Sequence, residues 1–257
     1  MPAVPATRGG YLLDGVEYLF DSGVMGGAEI AQVISLSPVR HRDDVLAGEG
    51  MLPVLPALRE LLPGGGLQRG SVVTSGDWGL LSLALMAGAS ADGAWCAAVG
   101  VPALGVRAAA EAGLEPDRLL LIADPGRGWP QVVASLLDGF DIVLLCPPEQ
   151  PSAQLRRKME AAARRYGSVL VVAGDWPGAQ SHLLAADSQW VGIGAGHGRL
   201  RARLVQVVAS GRGAGERPRS AWLWLPGPDG TITTATGIAG DGDDARGDVI
   251  AELVNSG

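Results

Sequence analysis

The residues with the clearest chemical promise are Gly76, Asp77, Trp78, Gly79, Leu80 and Leu81. They follow the apolar run SVVTS (71–75) and open a second one, LLSLALMAGA (80–89), so the chain reads strand, glycine-bearing turn, helix. Such a turn is where α/β chains grip phosphate. Backbone N–H groups wrap the anion, a Lys neutralises its charge, and a Ser or Thr hydroxyl helps to hold Mg²⁺, in the pattern G-x-x-x-x-G-K-[ST]. Here the two glycines stand two residues closer together, and Leu80 and Leu81 occupy the places of the Lys and the hydroxyl residue. Asp77 adds negative charge where a triphosphate would sit, and Trp78 fills volume that a ligand needs.

A phosphate site also takes a carboxylate from the tip of a neighbouring strand, to place Mg²⁺ and water. The candidate strand, DIVLLC (141–146), ends in Cys146-Pro147-Pro148, and Asp141 stands at its start, the wrong end for a site at the carboxyl edge of a parallel sheet. Glu149 comes three residues too late. The turn is therefore expected to be degenerate, with no catalytic residue and no cofactor. Metal chemistry is not expected either. Cys96 and Cys146 lie inside apolar runs, as buried thiols do in a reducing compartment, and His41, His182 and His197 are far apart in sequence.

The other chemically suggestive residues are basic. Net charge is −7, which argues against bulk attraction to nucleic acid, but residues 151–220 hold eleven Lys/Arg against four acids, giving +7 there and −14 elsewhere. Arg156, Arg157, Lys158, Arg164 and Arg165 lie on a helix whose apolar stripe is Leu155, Met159, Ala162, Ala163 and Tyr166. Arg199, Arg201 and Arg203 alternate along a strand and are expected to share one face, where like charges repel unless an acidic partner or DNA visits. A solvated helix surface is the plain alternative. Trp78 either plugs the empty pocket, the favoured reading, or anchors a partner. Trp222 and Trp224 alternate too, as core or as contact patch. In the tail segment VIAELV, Val249, Ile250 and Leu253 are candidate partner contacts, with fraying as the commoner case.

The elements that must position these groups are legible in the periodicity. Residues 1–50 form an irregular extension, 51–236 a single domain, and 237–257 an acidic flexible tail. LPVLPALRELLPGGGL (52–67) reads as a short helix with Leu55, Leu58 and Leu62 on one face, stopped at Pro63 and Gly64. From residue 70, strands near 71–75, 95–100, 117–123, 141–146 and 168–174 alternate with helices, which specifies an α/β fold with a mostly parallel sheet covered on both faces. After residue 187, SQWVGIG, RARLVQVVAS and RSAWLWLPG read as antiparallel strands. No apolar run is long enough to span a membrane and the N-terminus has no secretory pattern, so a cytoplasmic protein is expected, associated with the nucleoid when recruited there.

GGGLQRGSVV (64–73), VPALGVRAAAEAGLEPDRLLLIADP (101–125) and DGFDIVLLC (138–146), in that order, resemble the core of RecA-type recombinases, and more narrowly the actinobacterial ImuA-type accessory proteins. That resemblance covers about residues 51–236 and implies a RecA-like core. It also implies a role in damage-induced (SOS) mutagenic translesion synthesis, beside the Y-family-like protein ImuB and an error-prone C-family polymerase. The phosphate-gripping Lys and its Thr then map onto Leu80 and Leu81, the acid of the second nucleotide motif onto Cys146, and the catalytic Glu onto Val101 or Pro102. The expected role is a non-catalytic adaptor, with DNA bound through the basic residues and no small-molecule substrate. Two rivals stand beside it: a divergent DNA-stimulated ATPase completed by a neighbouring subunit, and an inhibitor of cell division resembling SulA.

Overall fold

The computed structural model describes residues 10–13, 16–19, 50–76, 78–101, 104–194, 197–211 and 218–235, with backbone alone at 10–13, 16–19, 192–194 and 197–199. Five short strands make the parallel part of the main sheet. They are β5 (Val72–Thr74), β6 (Cys96–Val99), β7 (Leu119–Ile122), β8 (Ile142–Leu145) and β9 (Val169–Val172). All residues of β5, β6, β8 and β9 are buried. Val, Leu, Ile and Ala fill both faces of these strands because helices cover both faces.

Four helices provide that cover: α1 (Leu80–Ala91), α2 (Val106–Glu111), α3 (Trp129–Gly139) and α4 (Ala153–Tyr166). Side chains of α1 and α2 cluster with Val73, Ala98, Leu144 and Val171. Those of α3 and α4 cluster with Val72, Val99, Leu145 and Val172, on the opposite face. α4 is delimited by its own sequence. The Ser152 hydroxyl accepts from Leu155 N–H at 3.2 Å at the start, and Gly167, in the left-handed region at φ 61°, ends it.

Three longer strands continue the sheet beyond β5. β10 (Ser181–Gly194) runs parallel to β5, and β11 (His197–Ser210) and β12 (Arg219–Trp224) follow antiparallel, with a short β13 (Thr233–Thr234) outside them. The complete order is β13-β12-β11-β10-β5-β9-β8-β6-β7. A mixed α/β fold, mostly parallel and finished by antiparallel strands, is what the periodicity specifies. The first of these strands begins earlier than expected, at residue 181 rather than after 187, and it still runs parallel to β5, so the direction reverses only at β11.

Two stretches differ from the sequence reading. Residues 52–67 are not an α-helix. They form two 3-10 turns, Pro56–Leu58 and Pro63–Gly65, between the paired strands β3 (Met51–Pro53) and β4 (Gly66–Gln68). Pro53, Pro56 and Pro63 leave no run long enough for regular i→i−4 bonding. Leu58, Leu61 and Leu62 are nonetheless fully buried, since this segment lies across α1. The crossing is close: a Cβ on Gly88 of α1 would stand 2.3 Å from the Val54 carbonyl carbon. That cover explains why α1 is apolar on every side. In the extension, β1 (Gly10–Leu13) pairs antiparallel with β2 (Val16–Leu19), where irregular chain was expected. The Asp14-Gly15 dipeptide between them is a strong hairpin signal in the sequence.

Candidate functional site

Doubly wound sheets bind ligands at the carboxyl ends of their strands. At that edge the chain leaves β5 through Ser75 and Gly76 and turns into α1. Ser75 is buried, donates its N–H to the Val172 carbonyl on β9 at 3.0 Å, and shares a 2.7 Å hydrogen bond between hydroxyls with Ser82 of α1. Gly76 forms an isolated antiparallel bridge with Gly174, just past β9. The start of the turn therefore stays against the chain that leaves β9, with the Ser75 N–H bonded there. Gly76 holds φ at 67°, and a Cβ there would stand 3.0 Å from Leu184 Cδ1, so the Leu184 side chain lies over the turn.

Gly79 is extended and caps α1 without a side-chain hydrogen bond. Leu80 is half-buried, and Leu81, at 7 % exposure, belongs to the core. Trp78 is half-buried and packs against that same cluster. Asp77 lies outside the described residues.

Contrary to the sequence reading, the strand next to β5 on this side is β9; β8, which is followed by Cys146, lies one strand further on. Burial raises the thiol's pKa above its ordinary value, which disfavours the thiolate. Asp141, at the opposite edge of the sheet, has a structural role. Its carboxylate pairs with Arg69 at 2.9 Å and accepts from Trp95 N–H at 2.9 Å, joining the approach to β5 to the starts of β6 and β8. Among the described residues, no group of three His, Cys, Asp or Glu side chains is placed to hold a metal ion.

The basic residues do not form one strip. On α4, Arg157, Lys158, Arg164 and Arg165 are exposed, while Arg156 is half-buried and donates to the Pro151 carbonyl at 2.7 Å. Met159 and Ala163 pack α4 on the face that carries Val72 and Val172. Arg203 belongs to the other face, because Val205 and Val207, which alternate with it along β11, join the α1 cluster. Arg203 donates to Ser188 Oγ at 3.0 Å and lies 5.6 Å from the centre of the Trp190 ring. Arg203 thus has neighbours within the chain that the alternation pattern could not show, although its buried Nε has no hydrogen-bond partner among the described residues. Arg201 is exposed, and the side chain of Arg199 lies outside the described residues.

Trp222 and Trp224 prove to be core, each 8 % exposed and clustered with Val191, Ala202, Leu204 and Ala235. Val249, Ile250 and Leu253 lie outside the described residues. The sequence reading did not single out Leu184 or Trp190, which are 54 % and 48 % exposed on β10.

The uncharacterized protein Rv3395c of Mycobacterium tuberculosis is 40% identical to this chain over 161 residues, 62% of this chain and 71% of that one. The chain belongs to the Rv3395c family. The family model described as the MT3502 N-terminal domain matches residues 60–178, which for this Rv3395c-family member takes in the β5–α1 turn, the tip of β8 and the whole of α4. A solved structure, that of the RadB recombinase, is similar at a TM-score of 0.49 and 14% identity, covering 70% of this chain and 97% of that chain. No helix among the described residues of this Rv3395c-family chain is long and apolar enough to cross a membrane.

Proposed function

We propose that this Rv3395c-family protein is a non-hydrolysing, RecA-like adaptor of the ImuA type, acting in damage-induced mutagenic DNA synthesis in the cytoplasm and at the nucleoid. In this reading its rigid α/β body binds an ImuB-like protein, and with it an error-prone C-family polymerase and DNA. The observation that carries the non-catalytic part is the fate of the β5–α1 turn. Ser75 is bonded to β9 and Gly76 bridges to Gly174 just past it, and Leu80 and Leu81 stand where a phosphate site needs Lys and a hydroxyl. β8, one strand beyond β9, is followed by Cys146 rather than by an acid. What remains is a set of surfaces, which is what an adaptor uses. The choice of partner rests on the order of segments that resembles ImuA-type proteins.

The test is co-purification with the ImuB-like protein of the same organism, at moderate and high salt. A stable complex, in the absence of nucleotide, is expected. No complex at either salt overturns the adaptor reading. ATP hydrolysis stimulated by single-stranded DNA would favour the ATPase, and filamentous cells on overexpression, without a polymerase partner, the division inhibitor.

A further inference from the structure

The outward stripe of α4 consists of Gln154, Arg157, Lys158, Ala161, Arg164 and Arg165, all exposed. At 100° per residue, Arg157 and Arg164 form one row and Lys158 and Arg165 a second row about 100° round the helix. Gln154 and Ala161 lie on the crest between them. Within each row the cations are about 10 Å apart along the axis. Among the described residues none of the four makes an ion pair, and Arg165 lies over the ring of Tyr166, 5.4 Å from its centre. The acid on this helix, Glu160, is half-buried and accepts from Trp176 Nε1 at 3.0 Å.

We propose that α4 is a docking surface for duplex DNA, held through its phosphate backbone. The proposal deepens the DNA-directed part of the adaptor reading and rests on it. It confines DNA to one face of the sheet and one helix, and leaves Arg203 out. Two features favour DNA over an acidic protein. The stripe has no exposed apolar side chain larger than Ala161, whereas the centres of protein interfaces are built round buried aromatic anchors. Phosphate contact needs only the cations. The geometry also suits a duplex: two cationic rows flanking a crest of small and polar residues match the two phosphate walls of a groove about 12 Å wide, which admits an α-helix.

The experiment is fluorescence anisotropy of a labelled 20-base-pair duplex with the full chain alone, across a salt series. The expected slope of log K against log salt is about −3 to −4, one phosphate for each cation. The fourfold variant Arg157→Gln, Lys158→Gln, Arg164→Gln, Arg165→Gln, checked for folding by its far-ultraviolet spectrum and melting temperature, should bind at least 30-fold more weakly at low salt, with a slope near zero. Arg201→Gln should bind like wild type. The proposal is overturned if wild type does not bind the duplex, if the folded fourfold variant binds unchanged, or if Arg201→Gln removes binding. A single-stranded oligo(dT) that competes better than the duplex overturns it too, and a better competing polyglutamate would assign α4 to an acidic protein. Co-purification of the fourfold variant with the ImuB-like protein separates the two proposals, since the DNA test uses neither partner.

Discussion

The hydroxyls of Ser75 and Ser82 lie 2.7 Å apart, both buried, and join the end of β5 to the first turn of α1 across the residues where a phosphate loop would stand. This bond closes the turn from within. In Ser82→Ala the Ser75 hydroxyl keeps the Val172 carbonyl, 3.5 Å away. Ser75→Ala, which takes from the buried Ser82 hydroxyl its bond to Ser75, is expected to lose about 1–2 kcal/mol, and Ser82→Ala less. The double variant should lose less than the sum of the two. Urea denaturation in a double-mutant cycle measures the coupling, and strict additivity would show that the two hydroxyls do not interact.

Gly88 tests how closely the 52–67 segment lies on α1. In an exposed helix, alanine in place of glycine gains up to about 1 kcal/mol. Here the new methyl would stand 2.3 Å from the Val54 carbonyl carbon and 2.6 Å from Leu55 N, and backbone cannot swing aside as a flexible side chain does. Gly88→Ala is therefore expected to destabilise by about 2 kcal/mol or more. A denaturation midpoint equal to or above that of wild type would mean that the crossing is looser than described.

Cys96 gives the fold a dependence on alkaline pH. Desolvation is the largest cause that pushes its thiol from 9.0 up to about 12. The folded pKa lies above the unfolded one, so between the two the unfolded chain has released a proton that the folded chain keeps. The stability contribution is complete below about pH 9 and is lost progressively as pH rises toward about 12. Cys96→Ala should flatten the part of the stability–pH curve in that window. Ellman's reagent at pH 8 should react slowly with Cys146, which is half-buried, and reach Cys96 only on unfolding. Rapid labelling of both thiols in the folded protein would contradict the burial.

Much of the fold was legible because its signals are local. Runs such as DIVLLC and SVLVVAG, each followed or preceded by a helix-length pattern, specify parallel strands without any knowledge of their neighbours. The missing Lys of the turn was equally plain at Leu80. What the sequence could not show were relations across the sheet. Arg203 and Arg164 carry the same charge, and only the pairing of β11 with β10 and β12 puts them on opposite faces. The 52–67 segment misled because its Leu spacing suits a helix while its prolines prevent one. The Asp-Gly hairpin signal at 14–15 was present and went unread, in a stretch rich in other turn residues.

Restoring two side chains should not restore a nucleotide site. In Leu80→Lys, Leu81→Thr the turn regains the Lys and the hydroxyl of the phosphate-binding pattern, yet its length and the residue at the tip of β8 are unchanged. The Ser75 bond to β9 and the Gly76–Gly174 bridge still hold the start of the turn in place. Thr in place of Leu81 also puts a hydroxyl at a core position that is 7 % exposed, which should cost about 1–3 kcal/mol. The expected result is a lower melting temperature and no rise in it with millimolar Mg-ATP, for wild type or variant. A ligand present at 100 times its dissociation constant would add about 2.7 kcal/mol, well within reach of the measurement. If Mg-ATP stabilised the variant, the turn would need only those two groups to hold phosphate. If it stabilised wild type as well, the non-hydrolysing reading would have lost its main structural support.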